Sequence, residues 1–195
     1  MPLLDVLTPK PRVLFVGINP SLRSEALGHH FAGPGNPFWR LLYAARLIPV
    51  ELTHIEDRRL AEFNLALTNL CPRATRAAAE LSREEIARGK RRLVAKVRRL
   101  QPDVVAFVGV TIYREFFGKA LTKASGRPPV KAASAGATAS AGAGAKTELI
   151  CGAKVFVLPN PSGLNASFPG FQHKLIWFER LGEFIDSAPP SSSHV

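Results

Sequence analysis

Three short runs are apolar throughout and rich in Val and Phe: residues 13–18 (VLFVGI), 104–110 (VVAFVGV) and 155–158 (VFVL). A strand with one face in water alternates apolar and polar residues, whereas a strand buried on both faces does not. These runs therefore predict a parallel sheet with helices on both sides. A fourth strand candidate, residues 65–70 (LALTNL), is weaker, because Leu and Ala also suit helices.

Helical patterns lie between the runs. Residues 37–47 place Phe38, Leu41, Leu42 and Ala45 on one face, with Pro37 acceptable in a first turn. Ser82-Arg83-Glu84-Glu85 forms a capping box, opening a helix to about Leu100 that buries Ile86, Leu93, Val94, Val97 and Leu100. Thr111 is expected to cap a short helix ending near Gly118. Residues 171–185 carry a stripe of Phe171, Leu175, Phe178, Leu181 and Ile185. Strands alternating with helices predict an α/β sandwich with a mainly parallel central sheet.

The chain has 195 residues, of which 46% are hydrophobic and 21% charged, enough for one domain with a real core. We expect that domain to span residues 1–187. Residues 131–146 hold eight Ala and three Gly, small side chains that bury too little to offset ordering, and read as a flexible surface insertion. Residues 188–195 (APPSSSHV) read as a disordered tail.

Two cysteines, Cys71 and Cys151, are too few for a disulfide scaffold or a four-thiolate metal site, and read as reduced, buried thiols. No apolar stretch reaches the ~18 residues of a membrane span. The first residues lack a basic region followed by a long apolar one, so a cytoplasmic location beside the nucleoid is expected. A net charge of +11 points to a polyanionic partner, nucleic acid first. Seven basic residues lie between Arg88 and Arg99 with no acidic residue among them, a single-signed face able to attract phosphate.

In an open α/β sheet, ligands bind beyond the carboxyl ends of the strands. The first run is followed by Asn19-Pro20-Ser21, the fourth contains Asn69, and the last leads into Pro159-Asn160-Pro161-Ser162-Gly163-Leu164. Asn-Pro is also ordinary turn punctuation, but three strand ends delivering three asparagines is less easily dismissed. The sequence has no G-x-G-x-x-G, no phosphate-binding P-loop, no G-x-S-x-G elbow and no zinc-deaminase pattern. His29 and His30 are adjacent, so their rings diverge and chelate poorly. Neutral amides at strand ends suit a reaction with a good leaving group, in which a water is positioned and a heterocycle is hydrogen-bonded.

Four blocks carry a resemblance: Gly17-Ile18-Asn19-Pro20-Ser21-Leu22, Phe31-Ala32-Gly33-Pro34-Gly35-Asn36-Pro37-Phe38-Trp39, Leu67-Thr68-Asn69-Leu70, and Leu158 through Leu164. Together and in this order they resemble the mismatch-specific uracil/thymine DNA glycosylases of the uracil-DNA glycosylase superfamily. The resemblance implies a three-layer α/β/α sandwich. It implies a monofunctional enzyme, acting as a monomer without metal or cofactor. Such an enzyme flips uracil out of double-stranded DNA bearing a G·U or related mismatch and hydrolyses the N-glycosidic bond, which starts base excision repair; thymine or ethenocytosine opposite G are further candidate bases. By the same resemblance Asn19 orients the attacking water, and backbone N–H groups including that of Ile18 hold the leaving base. Phe31 stacks on the flipped base and Asn69 reads its edge. Asn160 is a second catalytic asparagine, a water or phosphate partner. Leu164, between Gly163 and Asn165, is the wedge entering the vacated stack. Ser24 faces the C5 side of the pyrimidine, where it disfavours a thymine methyl. No role is assigned to His30.

Two other classes compete. A non-catalytic damaged-DNA binding module has no need of a water-positioning amide, so Asn19 argues against it. An RNA- or ribosome-associated protein is supported by charge alone.

Overall fold

The computed structural model describes residues 2–124, 142–162 and 168–187. Its centre is a five-stranded sheet: β1 (Val13–Gly17), β2 (Leu65–Asn69), β3 (Val104–Val108), β4 (Gly144–Ile150) and β5 (Ala153–Leu158), in the spatial order β2-β1-β3-β5-β4. β1, β2, β3 and β5 are parallel, and β4 runs antiparallel against β5. The weakest strand candidate is thus a full member of the sheet. The helices are α1 (Leu22–Leu27), α2 (Phe38–Ala44), α3 (Arg83–Leu100), α4 (Val110–Ala124) and α5 (Gly170–Asp186), with 3-10 segments at His54–Phe63 and Ala78–Glu80.

The parallel strands show why their sequences do not alternate. Val13, Phe15, Leu65, Leu67, Val104, Ala106, Phe156 and Leu158 face one core with α2 and α5, through Phe38, Leu41, Leu42, Phe178 and Leu181. Leu14, Val16, Ala66, Val105, Phe107, Val155 and Val157 face a second core with α3 and α4, through Leu93, Val97, Leu100, Ile112 and Tyr113. Two apolar faces need two helical layers, and the result is the expected α/β/α sandwich. The capping box closes as predicted: Glu85 N–H donates to Ser82 Oγ at 3.2 Å and Ser82 N–H to the Glu85 carboxylate at 2.8 Å.

Four expectations need correction. The helix after β3 does not end near Gly118 but continues to Ala124. The Ala/Gly-rich stretch is not all insertion. Most of it lies outside the described residues, but from Gly144 it is already β4, whose backbone completes the sheet beside β5. Cys71 is buried but Cys151 is exposed, in the turn between β4 and β5. The basic run on α3 is not wholly unpaired, because Lys96 donates to the Asp5 carboxylate and, at 2.5 Å, to Thr68 Oγ1. The tail 188–195 lies outside the described residues.

The N-terminal segment is tied down. Val6 exchanges backbone hydrogen bonds with Leu67, 2.9 and 2.7 Å, extending the sheet at its β2 edge. No helix among the described residues is long and apolar enough to cross a membrane.

Candidate active site

Beyond the carboxyl ends of β1, β2 and β5 lies a pocket of about 260 Å³ whose lining includes Leu3, Asn19, Ser24, His30, Phe31, Asn36, Asn69, Asn160 and Ser162. This is where an open α/β sheet reverses its strand order and binds ligands. The three strand-end asparagines meet there, with Phe31 and Ser24. The volume falls just below the ~300–1,000 Å³ typical of sites for drug-sized ligands, the scale of one heterocycle. Its described lining residues include no Asp, Glu, Lys or Arg.

Asn19 is held by its amide nitrogen. Nδ2 donates to the Arg73 carbonyl at 2.9 Å and to Thr75 Oγ1 at 2.7 Å. Thr75 passes its own hydrogen to the Ala77 carbonyl at 2.8 Å. Both amide hydrogens are engaged, so what Asn19 offers the pocket is Oδ1, an acceptor. Arg73 is itself fixed by Glu85, with Nε to Oε1 at 2.6 Å and Nη2 to Oε2 at 2.9 Å. That fork holds the half-buried Glu85 carboxyl down at a pKa of about 2.

Asn69 ends β2 directly beside Gly17, its register partner on β1. A Cβ on residue 17 would come within 2.5 Å of Asn69 Oδ1. A side chain at residue 17 would therefore push the Asn69 amide out of its present place in the pocket. Behind it, buried Thr68 donates to Asp5 at 2.7 Å, which fastens the N-terminal segment beside the site and puts Leu3 in the pocket wall.

Phe31 adopts a left-handed backbone, φ 52°. For a residue with a bulky side chain this costs of the order of 1–2 kcal/mol, so the flanking chain must hold it. It does. His30 N–H donates to Asp57 Oδ2 at 2.9 Å, and Ala32 N–H to Ser24 Oγ at 3.2 Å. Trp39 Nε1 donates to the His30 carbonyl at 3.3 Å and Arg23 Nε to the Ala32 carbonyl at 3.0 Å. The Phe31 ring lies on Phe38, centroids 3.9 Å apart and planes 21° apart. It packs on the core and also lines the pocket.

His30 is buried, and its Nε2 lies 2.9 Å from the Leu4 carbonyl. A carbonyl only accepts, so Nε2 carries the hydrogen. Burial pushes the His30 pKa below its ordinary value, against a smaller upward pull from the Leu4 carbonyl and the Asp57 and Asp5 carboxylates. Its pKa is depressed on folding, so between the unfolded value near 6.5 and the lower folded one the unfolded chain binds more protons. Stability from this residue is present above about pH 6.5 and is lost as the pH falls below it. The melting temperature is expected to fall from pH 7 to 5 more steeply in the wild type than in His30→Gln; equal slopes would assign the acid sensitivity elsewhere.

Asn160 folds back in its own turn, its Oδ1 accepting from Ser162 N–H at 3.0 Å. Lys174 of α5, 3% exposed, donates from Nζ to the Pro161 carbonyl at 3.2 Å and the Ser162 carbonyl at 3.3 Å. β3 is followed by Gly109, whose φ of 130° is open to glycine and strained for other residues. Asn160 Cβ lies 3.7 Å from where a Gly109 Cβ would be.

Ile18 is not among the lining residues; its carbonyl accepts from Cys71 N–H at 2.8 Å and its side chain packs on the α3 side of the sheet. Gly163, Leu164 and Asn165 lie outside the described residues. Ser24 is buried, its Oγ receiving the Ser21 hydroxyl at 3.0 Å. The two adjacent histidines diverge as expected, yet both engage Asp57: His29 Nδ1 lies 3.1 Å from Asp57 Oδ1. No group of three or more His, Cys, Asp or Glu able to hold a metal ion occurs among the described residues.

Sequence reasoning missed Leu3, Asp57 and Lys174. Lys174 did leave a signal: it sits three residues after Phe171 and four before Phe178, on the buried stripe of α5. Leu3 and Asp57 left none, since only the tertiary fold brings Leu3 to the pocket and Asp57 to the chain before Phe31.

The model of the uracil DNA glycosylase superfamily matches residues 4–182, nearly the whole chain, and the chain belongs to that superfamily. Its fold is similar to the solution NMR structure of a protein from Methanosarcina acetivorans named as a candidate uracil DNA glycosylase. The TM-score is 0.58 and the identity 19%, over 93% of this chain and 97% of that one.

Proposed function

We propose that the protein is a DNA glycosylase that hydrolyses the N-glycosidic bond of uracil flipped out of duplex DNA, with G·U mismatches as its substrate. The observation that carries this reading is the Asn19 amide, pinned through both hydrogens so that its Oδ1 serves a neutral pocket walled by Phe31 and Asn69. Phe31 offers a flat apolar surface for one face of the base. The Asn69 amide can donate to uracil O4 and accept from N3–H, a pairing cytosine cannot match. Asn19 Oδ1 accepts a hydrogen from a water and aims its lone pair at C1′. The glycosidic electrons leave with the base, the water oxygen bonds C1′, and the released proton passes to solvent. A neutral amide stabilises the oxocarbenium-like sugar less than a carboxylate would, so turnover is slow.

Ser24 in the wall supports uracil over thymine, because a hydroxyl engaged with Ser21 and Ala32 cannot readily make room for a methyl. Asn160 is assigned to a water or phosphate, and Leu164, flanked by Gly163 and Asn165, to the wedge that holds the stack open. Duplexes bearing uracil, thymine, ethenocytosine or hypoxanthine opposite G or A, followed by alkaline cleavage of abasic sites, test the reading. Uracil opposite G is expected to be cut fastest, by the monomer, with the rate unchanged in EDTA. No cleavage of any uracil duplex, or cleavage that depends on a divalent ion, would refute it.

A further inference from the structure

Asp57 is 2% exposed and lies on the 3-10 segment His54–Phe63, outside the strand ends that build the pocket. A buried carboxylate is costly unless it is hydrogen-bonded. Its two oxygens both turn to the chain just before Phe31: Oδ1 to His29 Nδ1 and Oδ2 to His30 N–H. His30 N–H is the last backbone donor before the left-handed residue. A charge-assisted bond at that point fixes the His29–His30 peptide, one residue ahead of Phe31, while Trp39 Nε1 holds the carbonyl of the next peptide; the ring they lead to lies against Phe38. Ser24 grips the following N–H in the same way. The pair clamps the strained residue from both sides; Arg23 brings a charge to the Ala32 carbonyl after Phe31, and Asp57 is the charged group on the side before it.

We propose that Asp57 is a positioning residue for the base-stacking platform: its carboxylate holds Phe31 in the left-handed conformation that presents the ring to the pocket. This rests on the uracil-pocket reading for its consequence on excision, while the conformation of Phe31 is readable without any activity. It also gives His29 a task, orienting the carboxylate from the more solvent-facing side.

The test compares the full chain with Asp57→Asn, Asp57→Ala, Phe31→Ala and the Asp57→Ala/Phe31→Ala double variant. Single-turnover excision of uracil from a G·U duplex is measured, together with ¹H shifts of the Phe31 ring in ¹³C-phenylalanine-labelled protein, assigned by their loss in Phe31→Ala. Stacked on Phe38, the Phe31 protons are ring-current shifted in the wild type. In Asp57→Ala they move towards free values and excision falls about tenfold or more, the equivalent of losing one hydrogen bond to a charged group. Asp57→Asn keeps an acceptor of the same shape without the charge, and excision falls by a smaller factor, about threefold. In the Phe31→Ala background, Asp57→Ala adds little, because the residue it acts through is gone.

Unchanged Phe31 shifts in Asp57→Ala overturn the proposal, whatever happens to excision. So does a loss that simply adds to that of Phe31→Ala. If Asp57→Ala does not fold, Asp57→Asn decides: a partial loss with moved Phe31 signals supports the assignment, and wild-type signals overturn it. A wild type that cuts no uracil duplex would sink the glycosylase reading alone, since the ring shifts still decide the role of Asp57.

Discussion

Asn19→Ala is expected to slow single-turnover excision of uracil from a G·U duplex about 10²-fold or more, a loss of ~2.7 kcal/mol or more of transition-state stabilisation. The amide is held by the Arg73 carbonyl and Thr75 Oγ1, and those partners are in turn held by Glu85 and by the Ala77 carbonyl. A water aimed by such a preorganised acceptor needs little reorganisation when charge develops at the sugar. Alanine leaves the water free to wander and removes nothing that grips phosphate. Affinity for the duplex should therefore change little, as phosphate contacts set binding and lie elsewhere. The comparison is a single-turnover time course beside a binding isotherm at fixed salt. Near-normal cleavage by the variant would move the water-positioning role to another residue, Asn69 first.

Gly89→Ala is expected to destabilise the fold by about 2 kcal/mol or more, although alanine is the better helix former by ~1 kcal/mol. Gly89 sits on the buried side of α3, and a Cβ there would collide with the Leu70 carbonyl oxygen, with the Leu70 carbonyl carbon and Cγ at 3.1 Å. The obstacle is backbone, which cannot swing aside as a side-chain tip does, so α3 or the end of β2 has to move. At roughly 2–4 °C per kcal/mol for a chain of this size, the melting temperature drops by about 4–8 °C. Leu70 directly follows Asn69, so the displacement reaches the pocket and excision slows as well. A melting temperature at or above that of the wild type would mean that α3 rides over Leu70 with room to spare.

The sheet and the strand-end asparagines were legible because each is a local signal. A strand buried on both faces has to be apolar at every position, and Asn19, Asn69 and Asn160 sit where such runs stop. The capping box of α3 was legible for the same reason. β4 was not. Its first residues share the Ala/Gly composition of the stretch before them, and its place is set by pairing with β5 rather than by a pattern of its own. Phe31 was legible only through its motif; nothing in its neighbours announces a left-handed backbone, and the groups that bond the chain on either side of it, Asp57 and Ser24, come from elsewhere. The exposure of Cys151 follows from its position in the β4–β5 turn, which composition cannot reveal.

The pocket draws its walls from residues as far apart in the sequence as Leu3 and Ser162, and β4 joins the sheet through β5. A growing polypeptide emerging from the ribosome displays Asn19, Phe31 and Asn69 long before the strand that carries Asn160 has been made. Until β5 inserts beside β3, the cleft lacks one side and Lys174 has no loop to fasten. A half-made chain with this basic charge could meet nucleic acid, but it would hold no closed chamber in which a base could be severed. The long reach of the cleft along the sequence thus ties the pocket to the pairing of β5, and no stretch of chain that stops short of β5 brings all three asparagines together.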